Sequence, residues 1–444
     1  MSEKHLIIIG GGPGGYTAAL IASQKNIKVT LFEKDSVGGT CLNRGCIPTK
    51  AMLASSHLFE KIKNSKKFGI NADNISFDLP IIIERKNKVV ETMRTSLEGL
   101  LQKRNVTIIK EHAKILSPGK VSAGGKEYTC DNIIIATGSQ AMKIWNGEYI
   151  ITSDEALFPE AIPPTLLVAG AGAVGLELAC FYSQLGSKVT VVEMLDRILP
   201  TMDKDITDTL TRELKKKGIS IKTGCKIETI EGGNVTFSDG KTGAFDKILQ
   251  AVGRKAITEE IGLENLNITI ERGRIKTDKH METTEKGIYA IGDIVYGYPQ
   301  LAHSASAQGI TAVLNIAGEE SLFDGNAIPG CIYTSPESAS VGLREDELEN
   351  PIISKVQFRT MGRAHAEGEI AGLIKIVADR NSKIVKGVHI IGERATDIIH
   401  EGVIAVTQGL TIEALADCIH AHPTFAEVYA EAFHLAEGRP IHVV

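Results

Sequence analysis

The chain has 444 residues, 43% of them hydrophobic and 23% charged, the balance of a globular protein of roughly two to four domains. Its net charge of −5 offers nothing to nucleic acid or to an anionic membrane surface, and apolar runs such as residues 6–9 and 81–83 are too short to span a bilayer. The opening Met-Ser-Glu-Lys runs at once into a strand pattern, which predicts a cytoplasmic protein without a leader.

In chain order, the first predicted element is a strand over residues 6–9. It ends in Gly10-x-Gly12-x-x-Gly15, then a helix, then a second strand over 29–32 that ends at Glu33. In this pattern the first glycine makes a tight turn, the second lets a pyrophosphate approach the backbone, and the third lets helix and strand pack closely. The helix N-terminus offers free N–H groups to phosphate, and Glu33 is placed to accept from ribose hydroxyls. The pattern recurs at an offset of 160 residues: Gly170, Gly172, Gly175 and Glu193 follow strands predicted over 166–169 and 189–192. One such motif is weak; two copies with the same strand, helix and acid predict two dinucleotide sites, one for a flavin and one for a nicotinamide. Glu193 repels a 2′-phosphate and so favours NAD over NADP. Arg197 reads as a solvated loop charge.

Between the first acid and residue 60 lies Gly38-Gly-Thr-Cys-Leu-Asn-Arg-Gly-Cys-Ile-Pro-Thr-Lys50. A regular helix puts Cα atoms five residues apart roughly 8–9 Å from each other, and a disulfide needs less than about 7 Å. A bond between Cys41 and Cys46 therefore requires a distorted turn, which Gly45 permits; Pro48 suits the first turn of a following helix. Cys46 then sits near a helix N-terminus, where thiolate is favoured. The pattern alone leaves open two unrelated thiols or half a metal site, although no second Cys or His pair with ligand spacing follows. The other cysteines, Cys130, Cys180, Cys225, Cys331 and Cys418, read as buried small apolar residues.

Residues 61–80 show no clear periodicity. Residues 132–138 and 247–253 each read as a strand running into Ala-x-Gly, closing the two nucleotide domains, and 287–293 ends a related strand in a carboxylate. Beyond about residue 325, strands are predicted over 372–377 and 386–391, then helices over 395–408 and 412–416. The expected fold is α/β: a Rossmann-like domain (1–140 and 256–325), a second inserted in it (141–255), and a C-terminal α+β domain (326–444). The last motif is His420-Ala-His422-Pro-Thr-Phe-Ala-Glu427. Thiol–disulfide exchange needs a group to take the thiol proton; an imidazole suits this near neutral pH, and a carboxylate on its other nitrogen fixes the tautomer. His420 reads as structural.

The run from Gly38 to Lys50 resembles the active-site signature of the class I pyridine nucleotide–disulfide oxidoreductases, the flavoprotein family that includes the dihydrolipoamide, glutathione and mercuric reductases. The resemblance covers nearly the whole chain. It implies FAD and NAD as cofactors, no metal, and a redox disulfide in which Cys46 faces the flavin and Cys41 meets substrate. It implies His422 and Glu427 as an acid–base pair supplied by the other subunit of a homodimer. Gly39, Thr40, Lys34, Lys50, Ala113, Thr137, Gly138, Ser139, Asp293 and Ala302 match flavin-side positions, and Glu177, Ile227 and Gly253 match nicotinamide-side ones. The substrate it implies is a dihydrolipoyl group on a carrier protein, from a 2-oxoacid dehydrogenase acyltransferase or from glycine cleavage. A glutathione or mercuric reductase type and a non-catalytic flavin-binding redox sensor are the alternatives. Arg44, Gln308 and the run from Lys255 to Ile257 depart from the usual family pattern.

Overall fold

The structure is a computed structural model and describes residues 4–443. The chain forms two compact units, one of residues 4–52, 78–142 and 253–325, the other of 53–77, 143–252 and 326–443.

The first unit is built on a five-stranded parallel sheet in the order Ile288–Ala290, Asn132–Ile135, His5–Ile9, Lys28–Phe32, Thr107–Ile109. Its inner strands, such as His5–Ile9 and Asn132–Ile135, are apolar runs buried on both faces, as central parallel strands must be, while the edge strand Thr107–Ile109 is partly exposed. A three-stranded antiparallel meander, Ala113–Ser117, Lys120–Ala123 and Lys126–Thr129, sets Ile115 and Val121 against Ile7, Ile9 and Ile133 on one side. The helices Pro13–Gln24 and Ala302–Ala317 pack on each other. They come close because a Cβ on Gly309 would lie 2.7 Å from the Gly14 carbonyl oxygen.

The second unit repeats this plan. Its parallel sheet runs Ser220–Lys222, Lys188–Val192, Thr165–Ala169, Lys247–Gln250, Ile150–Thr152. A meander of Ile227–Glu231, Asn234–Phe237 and Thr242–Ala244 packs Val235 and Phe237 against Leu167 and Ala169. The unit also holds an antiparallel sheet, ordered Gly330–Ile332, Glu337–Gly342, Val385–Gly392, Leu373–Ala378, Ile352–Gln357. The helices Ala395–Gln408 and Glu427–Ala436 close the core of this sheet around Phe358, Tyr429 and Phe433. The doubled α/β plan with a C-terminal α+β portion is therefore the one the sequence predicts.

Two features differ from expectation. The unassigned stretch ends the helix Cys46–Lys63, makes a short turn at Ser65–Phe68 and leads to Asp78, whose carboxylate caps a 25-residue helix, Leu79–Lys103, by accepting from the Ile81 amide at 3.0 Å. Only Leu79, Lys86, Val90 and Leu101 of that helix are buried, so its apolar stripe is too faint to announce a period of 3.6. Second, Cys180 and Cys225 are buried, but Cys130 and Cys331 are half-buried and Cys418 is exposed. Cys418 follows the short helix Ile412–Ala416, and its thiol donates to the Ala414 carbonyl at 3.4 Å.

Gly10 has φ +107°, and a Cβ on Gly15 would lie 1.9 Å from the Gly10 oxygen. Gly15→Ala is therefore expected to lower stability by about 1–3 kcal/mol through overpacking. Gly99, inside the helix Leu79–Lys103, has open space around its Cβ position, and Gly99→Ala is expected to raise stability by about 0.5–1 kcal/mol. Urea midpoints of the two variants, which should move in opposite directions, check both.

Candidate active site

The sulfur pair sits across a break between two helices. Cys41 lies in the short helix Gly39–Arg44, and Cys46 is the first residue of the helix Cys46–Lys63. Gly45 has φ −143° and ψ −112°, outside helical values, and a Cβ there would meet the Thr40 oxygen at 2.9 Å and the Cys41 Cα at 3.3 Å. The chain folds back tightly enough for the Cys41 and Cys46 side chains to be hydrogen-bonded to each other. The Asn43 amide group donates to the carbonyls of Ser36, Val37 and Gly39 at 3.3, 3.1 and 3.0 Å. Arg44 pairs with Asp35 at 2.8 Å. Thr49 Oγ1 donates to the Gly45 carbonyl at 2.6 Å, and Arg85 of the long helix donates to the Ala51 carbonyl at 3.0 Å.

The hydrogen bond with Cys46 first, and then burial, hold the Cys41 thiol protonated well above its ordinary range, while the Lys50 ammonium pulls the other way. Tyr16, which follows Gly15, is a neighbour that motif reading passed over. Burial, with charge on Cys41 and Cys46 adding to it, raises its phenol.

The pair is bolted to the first glycine loop. Gly38 N donates to the Gly11 oxygen at 2.8 Å, and a Cβ on Gly39 would strike the Gly12 Cα at 2.6 Å. Gly12 caps the helix Pro13–Gln24, and the space where its own Cβ would stand meets only the Gly39 Cα, at 3.9 Å. Glu33 accepts from the Gly11 amide and from the Asp35 amide, both at 2.8 Å. A cavity of about 60 Å³ opens beside it, lined by Gly10, Glu33, Lys34, Ala113 and Thr137 among others. Thr137 Oγ1 donates to the Ile257 carbonyl at 2.7 Å, and Gly138, at φ +70°, has open space around it. Ser139 Oγ donates to Asp293 at 2.5 Å and accepts from Arg254 Nε at 2.7 Å; Arg254 also reaches Thr40 Oγ1 at 3.5 Å. Asp293 lies in the short helical turn Gly292–Ile294, held by Gln308, whose side-chain oxygen accepts from the Gly292 amide at 2.6 Å. Ala302 opens the helix Ala302–Ala317.

The second glycine loop has the same construction. Gly170 has φ +102°, and a Cβ on Gly175 would lie 2.1 Å from the Gly170 oxygen. Gly172 caps the helix Ala173–Gln184 with open space around it. Glu193 accepts from the Ala171 amide at 2.8 Å and the Leu195 amide at 3.0 Å. Arg197, read from the sequence as solvated, donates to the Pro200 carbonyl at 2.6 Å. Three further nicotinamide-side candidates are Glu177, Ile227 and Gly253. Glu177 is buried and accepts from the Tyr333 amide at 3.1 Å. Ile227 begins a meander strand and packs on the core. Gly253 belongs to the first unit, where its oxygen accepts from the Met142 amide.

In the second unit His422 Nδ1 and Glu427 Oε1 are 2.7 Å apart, with the His422 side chain 77% exposed. The other Glu427 oxygen accepts from the Thr424 amide at 2.7 Å. Partial burial works to raise the Glu427 carboxyl, but hydrogen bonds from His422 and Thr424 outweigh it and hold the group below its ordinary range. His420 is bound between Glu401, at 3.0 Å, and the Cys418 carbonyl; the hydrogen bond to Glu401 raises its pKa against the pull of burial. Among the described residues, no helix is long and apolar enough to cross a membrane.

Residues 4–309 match the family described as pyridine nucleotide-disulphide oxidoreductase, and residues 328–433 match that family's dimerisation domain. Among curated proteins, the chain is 39% identical to a dihydrolipoyl dehydrogenase of Bacillus subtilis, covering 99% of each chain. It is 38% identical to one of Chlamydia pneumoniae, covering 99% of this chain and 98% of the relative. Among solved structures it resembles LpdA from Mycobacterium tuberculosis, with a TM-score of 0.91 at 27% identity over 97% of this chain and 99% of that one. It also resembles the HOCl-induced flavoprotein disulfide reductase RclA from Escherichia coli, with a TM-score of 0.86 at 25% identity over the same shares.

Because the folded Glu427 carboxyl lies below its unfolded value of 4.5, its contacts stabilise the protein above that pH and are lost as pH falls through the depressed value. Glu427→Gln is therefore expected to flatten the acid limb of stability. Urea midpoints between about pH 6 and about pH 3 measure it: the wild-type value should fall more steeply than the variant's.

Proposed function

Because the chain belongs to the pyridine nucleotide-disulphide oxidoreductase family, we propose that it oxidises dihydrolipoyl groups carried on a partner protein, using NAD+, bound FAD and a Cys41–Cys46 disulfide. The observation that carries this reading is the sulfur pair itself: two thiols in hydrogen-bond contact at a helix start, on a turn bolted to a dinucleotide-type glycine loop.

The residues present fit both nucleotides. The missing side chains at Gly12 and Gly172 leave room for a pyrophosphate at a helix N-terminus. Gly10, Gly12 and Gly15 would hold the FAD phosphates, Glu33 would take the ribose, and Lys34, Ala113 and Thr137, which line the cavity beside Glu33, would receive its adenosine end. Gly39, Thr40, Gly138, Ser139, Asp293 and Ala302 would hold the ribityl chain, and Lys50 would serve the ring. Gly170, Gly172, Gly175 and Glu193 hold NAD+, with Glu193 disfavouring a 2′-phosphate. Glu177 and Ile227 would border the nicotinamide side.

Dihydrolipoyl enters as a dithiol. His422 takes the proton of one thiol at Nε2, while Glu427 on Nδ1 fixes the tautomer and stabilises the imidazolium. The resulting thiolate attacks Cys41 Sγ, the Cys41–Cys46 bond breaks, and Cys46 leaves as a thiolate beside a helix N-terminus that stabilises it. The second substrate thiol attacks the substrate sulfur of the mixed disulfide, its proton passing to the departing Cys41 sulfur, which closes the lipoyl ring and leaves two electrons on the cysteine pair. When bound, FAD supplies the two-electron relay from that pair to NAD+. The protein works as a homodimer in the cytoplasm, His422 and Glu427 serving the sulfur pair of the other protomer; the match to the family's dimerisation domain supports the dimer.

Cys46→Ser is expected to abolish dihydrolipoamide oxidation while the purified protein keeps its flavin, and His422→Gln to lower kcat by about 10²–10⁴-fold. Steady-state assays with visible spectra of both variants check this; undiminished turnover by Cys46→Ser would refute the proposal.

A further inference from the structure

Lys375 is a lysine in the middle of an apolar strand, Leu373–Ala378, with every residue of the strand buried and its own side chain 0% exposed. Packing alone does not account for a buried ammonium, because desolvation disfavours it unless it is paired. Its Nζ lies 2.7 Å from each of three carboxylates, Asp203, Asp205 and Glu345, one for each donor of an ammonium. Lys355 adds a second cation on Asp205 at 2.7 Å. Across the ladder, Lys375 faces His389, whose imidazole burial pushes down from its ordinary value.

Two of the three carboxylates lie at the end of the segment that follows Glu193. Leu195 and Met194, directly after that acid, are exposed. Leu199 adopts φ +43°, a left-handed conformation that persists in a branched residue only where its surroundings over-determine it. The Leu199 amide donates to the Ala171 carbonyl of the glycine loop at 3.1 Å, and the Met202 amide turns back to the Leu199 carbonyl at 2.9 Å. The segment then ends at Asp203, 1% exposed. One oxygen of Asp203 accepts from the Asp205 amide at 2.9 Å and caps the helix Lys204–Lys216; the other accepts from Lys375. The loop is thus pinned at one end by Glu193 and at the other by a lysine of the C-terminal sheet.

We propose that Lys375 is a positioning residue for the nicotinamide nucleotide, fixing through Asp203 and Asp205 the loop that carries Glu193. The inference rests on the reading of Gly170–Glu193 as the NAD site. Removing the ammonium leaves the buried Asp203 without a cation and Asp205 with Lys355 alone, which frees the far end of a strained loop, so affinity for NAD+ falls while thiol–disulfide chemistry is untouched.

The test compares Lys375→Met, Asp205→Asn and Glu345→Gln in the flavin-loaded enzyme, by steady-state kinetics with NAD+ and dihydrolipoamide and by calorimetric binding of NAD+. Lys375→Met is expected to raise both KM and Kd for NAD+ about tenfold, with kcat and the KM for dihydrolipoamide within about twofold. Glu345→Gln leaves both aspartates paired and should stay within about twofold of wild type throughout. If Lys375→Met does not fold, Asp205→Asn carries the same test, with a rise of about threefold expected. Wild-type affinity for NAD+ in a folded Lys375→Met or Asp205→Asn protein, even one with a lowered Tm, would show Lys375 to be structural only and overturn the proposal. A wild-type enzyme that binds no NAD+ would remove the nucleotide-site reading and this inference together.

Discussion

Two sulfurs five residues apart do not meet on a regular helix, and the structure around them is arranged to make them meet. The helical ladder is cut at Gly45, where a side chain would collide with the preceding turn. The cut is then tied down from several directions: Asn43 to three carbonyls, Arg44 to Asp35, Thr49 to the Gly45 carbonyl. A thiol pair on a floppy loop would spend most of its time apart. Holding the turn rigid supplies the proximity that makes bond formation between the sulfurs intramolecular, and placing Cys46 at a helix start favours its anionic form.

The same economy governs the two glycine loops. In each, a glycine with positive φ turns the chain, a second glycine keeps the helix start bare, and a third lets helix and strand close up. Each then uses its strand-end acid twice. Glu33 and Glu193 both accept from the amide after the first glycine and from the amide two residues beyond the acid. The carboxylate thus shapes the loop as well as facing it, a duty that spacing alone did not suggest. The copies diverge in what surrounds them. The first loop is joined to the sulfur-bearing turn through Gly38 and Gly39, and the second is continued by a segment anchored on Lys375.

Much of this was legible in the sequence because the deciding contacts are local. Glycine spacing, the acid at a strand end, the break predicted at Gly45 and the His422–Glu427 contact all involve residues near one another in the chain, where geometry follows from spacing. The helix Leu79–Lys103 escaped notice because most of its surface is solvated and its apolar stripe faint. The meanders escaped because their strands are three to five residues long. Lys375 with Asp203, and Ser139 with Asp293 and Arg254, join residues more than a hundred positions apart. No local pattern signals such pairs; a lone lysine inside an apolar strand was the one available hint.

The central claim, that the paired sulfurs exchange electrons with a flavin beside them, is tested most directly by anaerobic titration of the purified protein with dihydrolipoamide, followed by visible absorption. The account predicts a long-wavelength band from a Cys46 thiolate in contact with oxidised flavin, growing to completion near one equivalent of dithiol. A protein that binds no flavin, or whose flavin spectrum is unchanged by excess dithiol, would contradict it.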